Sequence, residues 1–281
     1  MIKLINRVIF IKLKKRKVFV MKKKFFYLAA AAGSMLFAAG CQSTAAPEKF
    51  DPPRTTAVRA SGAIKVDGKL DEKCWQNAPE YVLGQVFTAG GEHPVVQKVV
   101  AKDKFEKMYV KCLYDDKYLY IACRAEDGDV ISHNRQDQEF LFRDCDLIEV
   151  FIKPVKANYY WELYATAAGN KSSCFYPSAG TLINSAINKE NLMPGLLVGS
   201  TVQGTLNYWQ DSDKSWTSEM AVPLKELTKY GMPFGPGSQW TIFFARYNYS
   251  KDFRKWQYSG YPVPPVLSSH LLENYSPIDF K

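Results

Sequence analysis

The residues with the strongest claim to chemistry lie in RDCDLIEVFIKP, Arg143 to Pro154, where Asp144, Asp146 and Glu149 enter a run that otherwise reads as a buried β-strand. From Leu147 to Ile152 the run alternates: Ile148, Val150 and Ile152 fall on one face, Leu147, Glu149 and Phe151 on the other. A carboxylate among so much apolar surface is costly unless it is paired or hydrogen-bonded. Three chemistries fit such a residue: a catalytic acid, a metal ligand, or a polar group on a binding face.

Glycoside hydrolysis needs two carboxyl groups flanking the bond, roughly 5–5.5 Å apart for retention or 6.5–9.5 Å for inversion. Asp144 and Asp146 share a face only if the strand begins early, and acidic residues at a strand entrance are commonly solvated turn formers. Glu149 is three residues from Asp146 and so points to the opposite face. Catalysis by this trio is not expected. Clustered oxygen ligands suited to calcium are supplied by EDGD (126–129), with Asp127 and Asp129 as candidate metal ligands, and by DDK (115–117). Acidic turns without metal fit the same residues.

Arg246 follows the apolar strand TIFFA and invites a carboxylate partner, with Glu149 across the sheet the expected one. A structural ion pair and a ligand-binding polar pair read alike at this point. Trp75, Trp216 and Trp240 occupy patterned core positions, whereas Trp209 (NYWQDSDKS) and Trp256 (DFRKWQYSGY) lie in loop-like surroundings and are expected to be partly exposed. A flat aromatic beside polar groups suits the apolar face of a sugar. Of the three histidines, 93, 133 and 270, none is placed as one of an axial pair for haem.

The elements that must hold these side chains are short strands. VVQKVVA (95–101), KMYVKCLY (107–114), YLYIACRA (118–125), LIEVFIK (147–153), NYYWELYATA (158–167), LLVGSTV (196–202), SWTSEMAV (215–222) and QWTIFFARYNY (239–249) are each bounded by Gly, Pro, Asp or Asn. Two brief helical signals accompany them: DEKCWQNA, with Asp71 as cap, and PLKEL, with Pro223 at the first helical position. The pattern predicts an all-β, antiparallel β-sandwich with one or two short helices.

The formal charge of +9 is misleading, because residues 1–40 carry ten Lys or Arg and no acid, leaving 27 basic against 28 acidic residues beyond them. A nearly neutral body excludes nucleic acid as a partner. MKKKFFYLAAAAGSMLFAAGCQST, from Met21, has the basic, apolar and small-residue order of a secretory signal, with Met21 the natural start. Its apolar stretch is shorter than the about 20 residues of a spanning helix. Ala38-Ala39-Gly40-Cys41 resembles a bacterial lipoprotein box, which implies lipidation of Cys41 and a membrane anchor at the outer membrane or cell surface. The expected organisation is a signal region at 1–40, a lipid-bearing Cys41 with a polar, Pro-rich tether to 57, and one folded body at 58–281. Five further cysteines show no zinc spacing; Cys112 and Cys123 flank a hairpin diagonally, and buried free thiols are the expectation.

Six blocks in order resemble family 9 carbohydrate-binding modules: IKVDGKLDEKCWQNAPE (64–80), YDDKYLYIACRAEDGDV (114–130), RDCDLIEVFIKP (143–154), YYWELYATAAGN (159–170), WTSEMAVPLKEL (216–227) and SSHLLENYSPIDF (268–280). The resemblance implies a β-sandwich that binds sugar without cleaving it, in a cleft clamped by two tryptophans and helped by the Glu of Asp-x-x-Glu, here Glu149. The clamp positions carry Phe142 and Arg143 on one side and Ser269 and His270 on the other, and polar positions of the neighbouring strand carry Tyr164 and Thr166. The expected carbohydrate site is thus Glu149, Phe142, Arg143, Tyr164, Arg246, Trp256 and His270. The expected function is a surface lipoprotein capturing poly- or oligosaccharide near the cell, alongside glycoside hydrolases encoded elsewhere. A structural or assembly lipoprotein on the same scaffold is the alternative.

Overall fold

The computed structural model describes residues 50–86, 105–133, 136–187, 189–253, 256–265 and 268–281. The leader, Cys41, His93 and the run 95–101 lie outside them. The described chain is almost entirely β.

Two antiparallel blocks carry the architecture. The first orders β8 (Lys171–Tyr176), β7 (Tyr160–Thr166), β6 (Leu147–Pro154) and β11 (Trp240–Asn248). The last five residues of β11 pair with β12 (Gln257–Tyr261), which in turn meets the short β3 (Gly84–Gln85). The second block orders β4 (Met108–Tyr114), β5 (Tyr118–Glu126), β10 (Ser215–Pro223) and β9 (Leu197–Gln203), with β2 (Tyr81–Val82) beside β4. One four-residue helix, α1 (Leu224–Leu227), follows β10.

The blocks are joined through β1 (Thr55–Arg59), and here the structure departs from the expected purely antiparallel sandwich. Thr55 to Ala57 pair in parallel with the C-terminal strand β13 (Ser276–Phe280), and Val58 and Arg59 pair in parallel with Leu113 and Tyr114 of β4. The sheet is therefore mixed, and it runs continuously from β8 to β9. One parallel pair arises because the chain brings its first and last strands together in the same direction, and the other because the end of β1 continues alongside β4; no local periodicity announces either. The folded body also begins before 58: Thr55 is wholly buried, its hydroxyl hydrogen-bonded to Ser276 (2.8 Å).

Alternation decides what each strand buries. Ile148, Val150 and Ile152 of β6, with Trp161, Leu163 and Ala165 of β7 and Ile242 and Phe244 of β11, form one core with Val110, Cys112, Ile121, Cys123, Trp216 and Met220 of the other block. Each large aliphatic side chain so buried contributes about 1.5–3 kcal/mol. The opposite face of the β8–β7–β6–β11 block carries a second, aromatic cluster that includes Leu147, Phe151, Tyr160, Tyr164, Tyr176, Phe243, Tyr258 and Tyr275. Trp75, Trp216 and Trp240 are all core residues, as their pattern predicts.

Buried acids fasten loops to this frame. Glu219 of β10 accepts hydrogen bonds from Asp67 N, Gly68 N and Trp75 Nε1 at 2.9–3.0 Å, which pins the opening segment. Trp75 sits in a 3₁₀ turn, Lys73–Asn77, preceded by Glu72 without a side-chain cap, so Asp71 does not act as expected. Pro223 ends β10 and precedes α1 instead of opening it.

Candidate functional site

The three acids of the opening motif go to three places. Asp144 is half-buried at the surface beside Arg143. Asp146 is fully buried and accepts backbone N–H groups of Ile131 and Tyr249, both at 2.6 Å, so it ties two loops together. Glu149, only 2 % exposed, lines a cleft of about 360 Å³ on the aromatic face, within the roughly 300–1,000 Å³ range of small-ligand pockets.

The cleft is built strand by strand. β6 contributes Glu149 and β7 Glu162; β11 and β12 add Tyr247 and Tyr258, with Trp256 just ahead of β12. Phe142, from the 3₁₀ turn Leu141–Arg143, and the segment Ser268–His270 complete most of the rim. Trp256 leans on Tyr247 with ring centres 5.0 Å apart. The rim segment is held by Tyr258 Oη to Ser269 Oγ (2.5 Å), Tyr275 Oη donating to Ser269 O (2.7 Å), and Tyr160 Oη to His270 Nδ1 (3.0 Å). Burial lowers the pKa of His270.

Two carboxyl groups form its floor. Glu149 faces Tyr164 across the β6–β7 ladder, and Glu162 faces Phe151, so the two acids are diagonal neighbours on one face, about 7–8 Å apart along the sheet. Tyr164 and Tyr176 donate to the two oxygens of Glu162, each at 2.5 Å. Glu149 Oε2 is buried without a hydrogen-bond partner. Burial pushes the Glu149 pKa well above the ordinary carboxylate range, and the neighbouring Glu162 charge adds to the shift. Burial raises Glu162 as well, against the opposing pull of its two tyrosines. Both carboxyls therefore hold a proton more tightly than free ones, Glu149 without any donor of its own to oppose the shift.

Of the residues anticipated from sequence, Glu149, Phe142, Trp256 and His270 line this cleft, and Tyr164 lies beneath it as a donor to Glu162. Two stand elsewhere. Arg246 is opposite Ile148, not Glu149, so its side chain leaves by the other face; the expected Glu149 pair does not form. Instead it is ion-paired with Asp127 at 3.0 Å, both buried, and donates to the carbonyls of Glu106, Lys107 and Glu126. Arg143 is exposed, lies near the Phe140 and Phe142 rings, and borders a separate depression of about 450 Å³ that also contains Trp209.

The residues proposed for calcium do not fit it. The Asp127 carboxylate meets the Arg246 guanidinium and the Trp216 indole N–H (3.1 Å), and Asp129 accepts Lys251 N (2.5 Å). The Arg246 guanidinium already supplies a positive partner to the Asp127 carboxylate. Among the described residues no group of three or more His, Cys, Asp or Glu is arranged to hold a metal.

Glu162, Tyr176, Tyr247 and Tyr258 were missed from sequence. A signal for Glu162 was present: in YYWELYAT, the alternation of Tyr160, Glu162 and Tyr164 puts the acid on a tyrosine-lined face.

No family model matches the chain, and no curated protein matches it. Solved structures do. A candidate carbohydrate-binding protein of Bacteroides uniformis superposes with a TM-score of 0.61 at 9 % identity, covering 82 % of this chain and 100 % of that one. A family 9 carbohydrate-binding module of Caldicellulosiruptor kristjanssonii, solved with cellotriose, superposes with a TM-score of 0.51 at 12 % identity, covering 81 % of this chain and 93 % of that one. The fold is that of family 9 carbohydrate-binding modules.

Proposed function

We propose that the chain is a non-catalytic carbohydrate-binding protein whose ligand lies in the Glu149 cleft. One observation carries the reading: a buried carboxyl oxygen, Glu149 Oε2, lacks a partner in an open cleft walled by aromatic rings. Unpartnered buried polar atoms are rare and costly, and a ligand hydroxyl would satisfy this one. Trp256 and Phe142 offer ring surface to a pyranose, while Ser268, Ser269 and Tyr258 supply hydroxyls to read its substituents. The cleft speaks against an assembly role, for which a filled, flat face would serve.

The reading is non-catalytic because of Glu162. Each of its oxygens receives a tyrosyl O–H group, which fixes the carboxyl in the floor and lowers its basicity as a general base. Glu149 alone is half of a glycosidase pair. In the full reading the leader directs export, Cys41 carries the lipid, and the tether holds the module at the outer membrane or cell surface. Captured poly- or oligosaccharide is then presented to glycoside hydrolases encoded elsewhere.

The test is a glycan array followed by calorimetry of the purified protein, wild type against Glu149→Ala. Saturable binding that the variant weakens by about tenfold or more, the scale of one lost hydrogen bond to a charged or acidic group, supports the reading. A folded wild-type protein that binds no glycan defeats it.

A further inference from the structure

Among the described residues the cleft carries charge of one sign only. Its described lining holds two carboxyl groups, Glu149 and Glu162, and no Lys or Arg. The groups facing Glu149 are Glu162 and Tyr164 on β7, Tyr247 on β11 and Tyr258 on β12, with Tyr176 on β8 behind Glu162 and His270 on the rim. None of them supplies a cation near neutral pH, since burial favours the uncharged imidazole of His270. Two described guanidinium groups are engaged elsewhere: Arg246 with Asp127 on the far face, Arg143 outside the cleft.

A second, independent observation says that this acidic pair is built for a ligand. Glu149 Oε2 is an acceptor with no donor, in a side chain almost wholly removed from water. The missing complement is a group rich in donors and positively charged. An ammonium has three N–H donors and no acceptor, and it neutralises charge as it bonds.

Building on the carbohydrate-binding reading, we propose that the cleft selects sugars by charge: it takes a hexosamine with a free ammonium at the Glu149–Glu162 pair, its ring against Trp256, and excludes uronic acids. A neutral sugar can hydrogen-bond Glu149 but leaves the two carboxyls facing each other uncompensated, so Glu149 must keep its proton. An ammonium permits both to ionise, so a hexosamine binds with release of that proton to solvent. A uronate brings a third negative charge into a site of low dielectric and is repelled.

Calorimetry of the full protein at pH 7 tests this with matched monosaccharides, whose free amines are mainly protonated at that pH: glucosamine, N-acetylglucosamine and glucose, and galactosamine, galactose and galacturonate. Each is titrated in phosphate and in HEPES, whose ionisation heats differ. The expected result is an amino sugar bound about tenfold tighter than its neutral parent, the ratio of a charge-assisted to a neutral hydrogen bond, with release of close to one proton. Glu149→Gln abolishes the proton release and levels the amino sugar with its neutral parent; Glu162→Gln provides the same readout if that variant does not fold. A neutral sugar bound as tightly as its amine, or an amine bound without proton release, overturns charge selection and leaves carbohydrate binding intact. Binding of no sugar at all overturns both.

Discussion

Arg246 and Glu149 stand on adjacent strands one residue out of register, and therefore on opposite faces of the same sheet. The offset separates two chemistries that the sequence places close together. On one face the terminal nitrogens of buried Arg246 are hydrogen-bonded to Asp127, Asn248 and three carbonyls, its Nε alone lacking a partner; on the other Glu149 opens into a cleft. The first is structural and the second is left for a ligand.

Separation by the sheet makes Asp127→Asn a stability variant and not a binding variant. It leaves a buried guanidinium without its counter-charge, which costs about 3–5 kcal/mol for a lone pair and falls at the low end here because carbonyl acceptors remain. Urea denaturation should show that loss, while the affinity of any glycan ligand stays within about twofold of wild type. An affinity collapse in a protein still folded at the assay temperature would mean that the two faces are coupled.

The floor of the cleft should be visible in stability as a function of pH. Folding raises the Glu149 and Glu162 pKa values above those of the unfolded chain, about 4.3, so the folded state binds more protons above that pH. Their stabilising contribution is complete below about pH 4.3 and is lost as pH rises through the folded values. Glu149→Gln removes one titrating group and should gain on wild type in Tm as the pH is raised from 5 to 8. Parallel Tm curves for the two proteins would show that Glu149 does not titrate differently on folding.

Alternation within β6 was legible in the sequence, and it placed Ile148, Val150 and Ile152 in one core and Glu149 on the opposite face. The core tryptophans and the half-buried Trp256 were legible too. Strand register was not. Whether Arg246 meets Glu149 or Ile148 depends on a shift of one residue between strands some hundred positions apart, and such a shift inverts every side chain. The parallel pairing of β1 with β13 and β4 is likewise a long-range outcome, and the Thr residues that begin β1 read as tether because their burial depends on a strand from the other end of the chain. Glu162 was within reach of the same alternation that found Glu149.

Two tryptophans on the β6–β7 half of the fold should respond to truncation in opposite ways. Trp161 is fully buried against Phe175, ring centres 4.8 Å apart, and Trp161→Ala should cost about 3–5 kcal/mol of stability. Trp256 is half-buried on the cleft wall; Trp256→Ala should lower Tm little and weaken glycan binding by roughly tenfold, the scale of one lost ring contact of about 1.5 kcal/mol. Trp209, 63 % exposed at the other depression, serves as the control whose removal changes neither. Loss of binding in Trp209→Ala would move the site.

Thiol titration tests the fold and the leader together. Cys74, Cys112, Cys123, Cys145 and Cys174 are all buried, and none of them forms a disulfide among the described residues. Cys112 faces Ile121 and Cys123 faces Val110, a diagonal placement that keeps the two from bonding directly across the hairpin. Burial raises the Cys112 thiol and pushes Cys123 up to about 12, so at pH 8 neither supplies the thiolate on which reaction depends. Ellman's reagent should therefore find the native thiols silent. In guanidinium chloride the count should rise to five per chain if Cys41 is lipidated on sulfur and to six if it is free, since the sequence contains six cysteines. The count should be the same with and without prior reduction. A rise of two on reduction would mean that the protein forms a disulfide, and the Cys112–Cys123 hairpin would then have to shift its register to bring the sulfurs together.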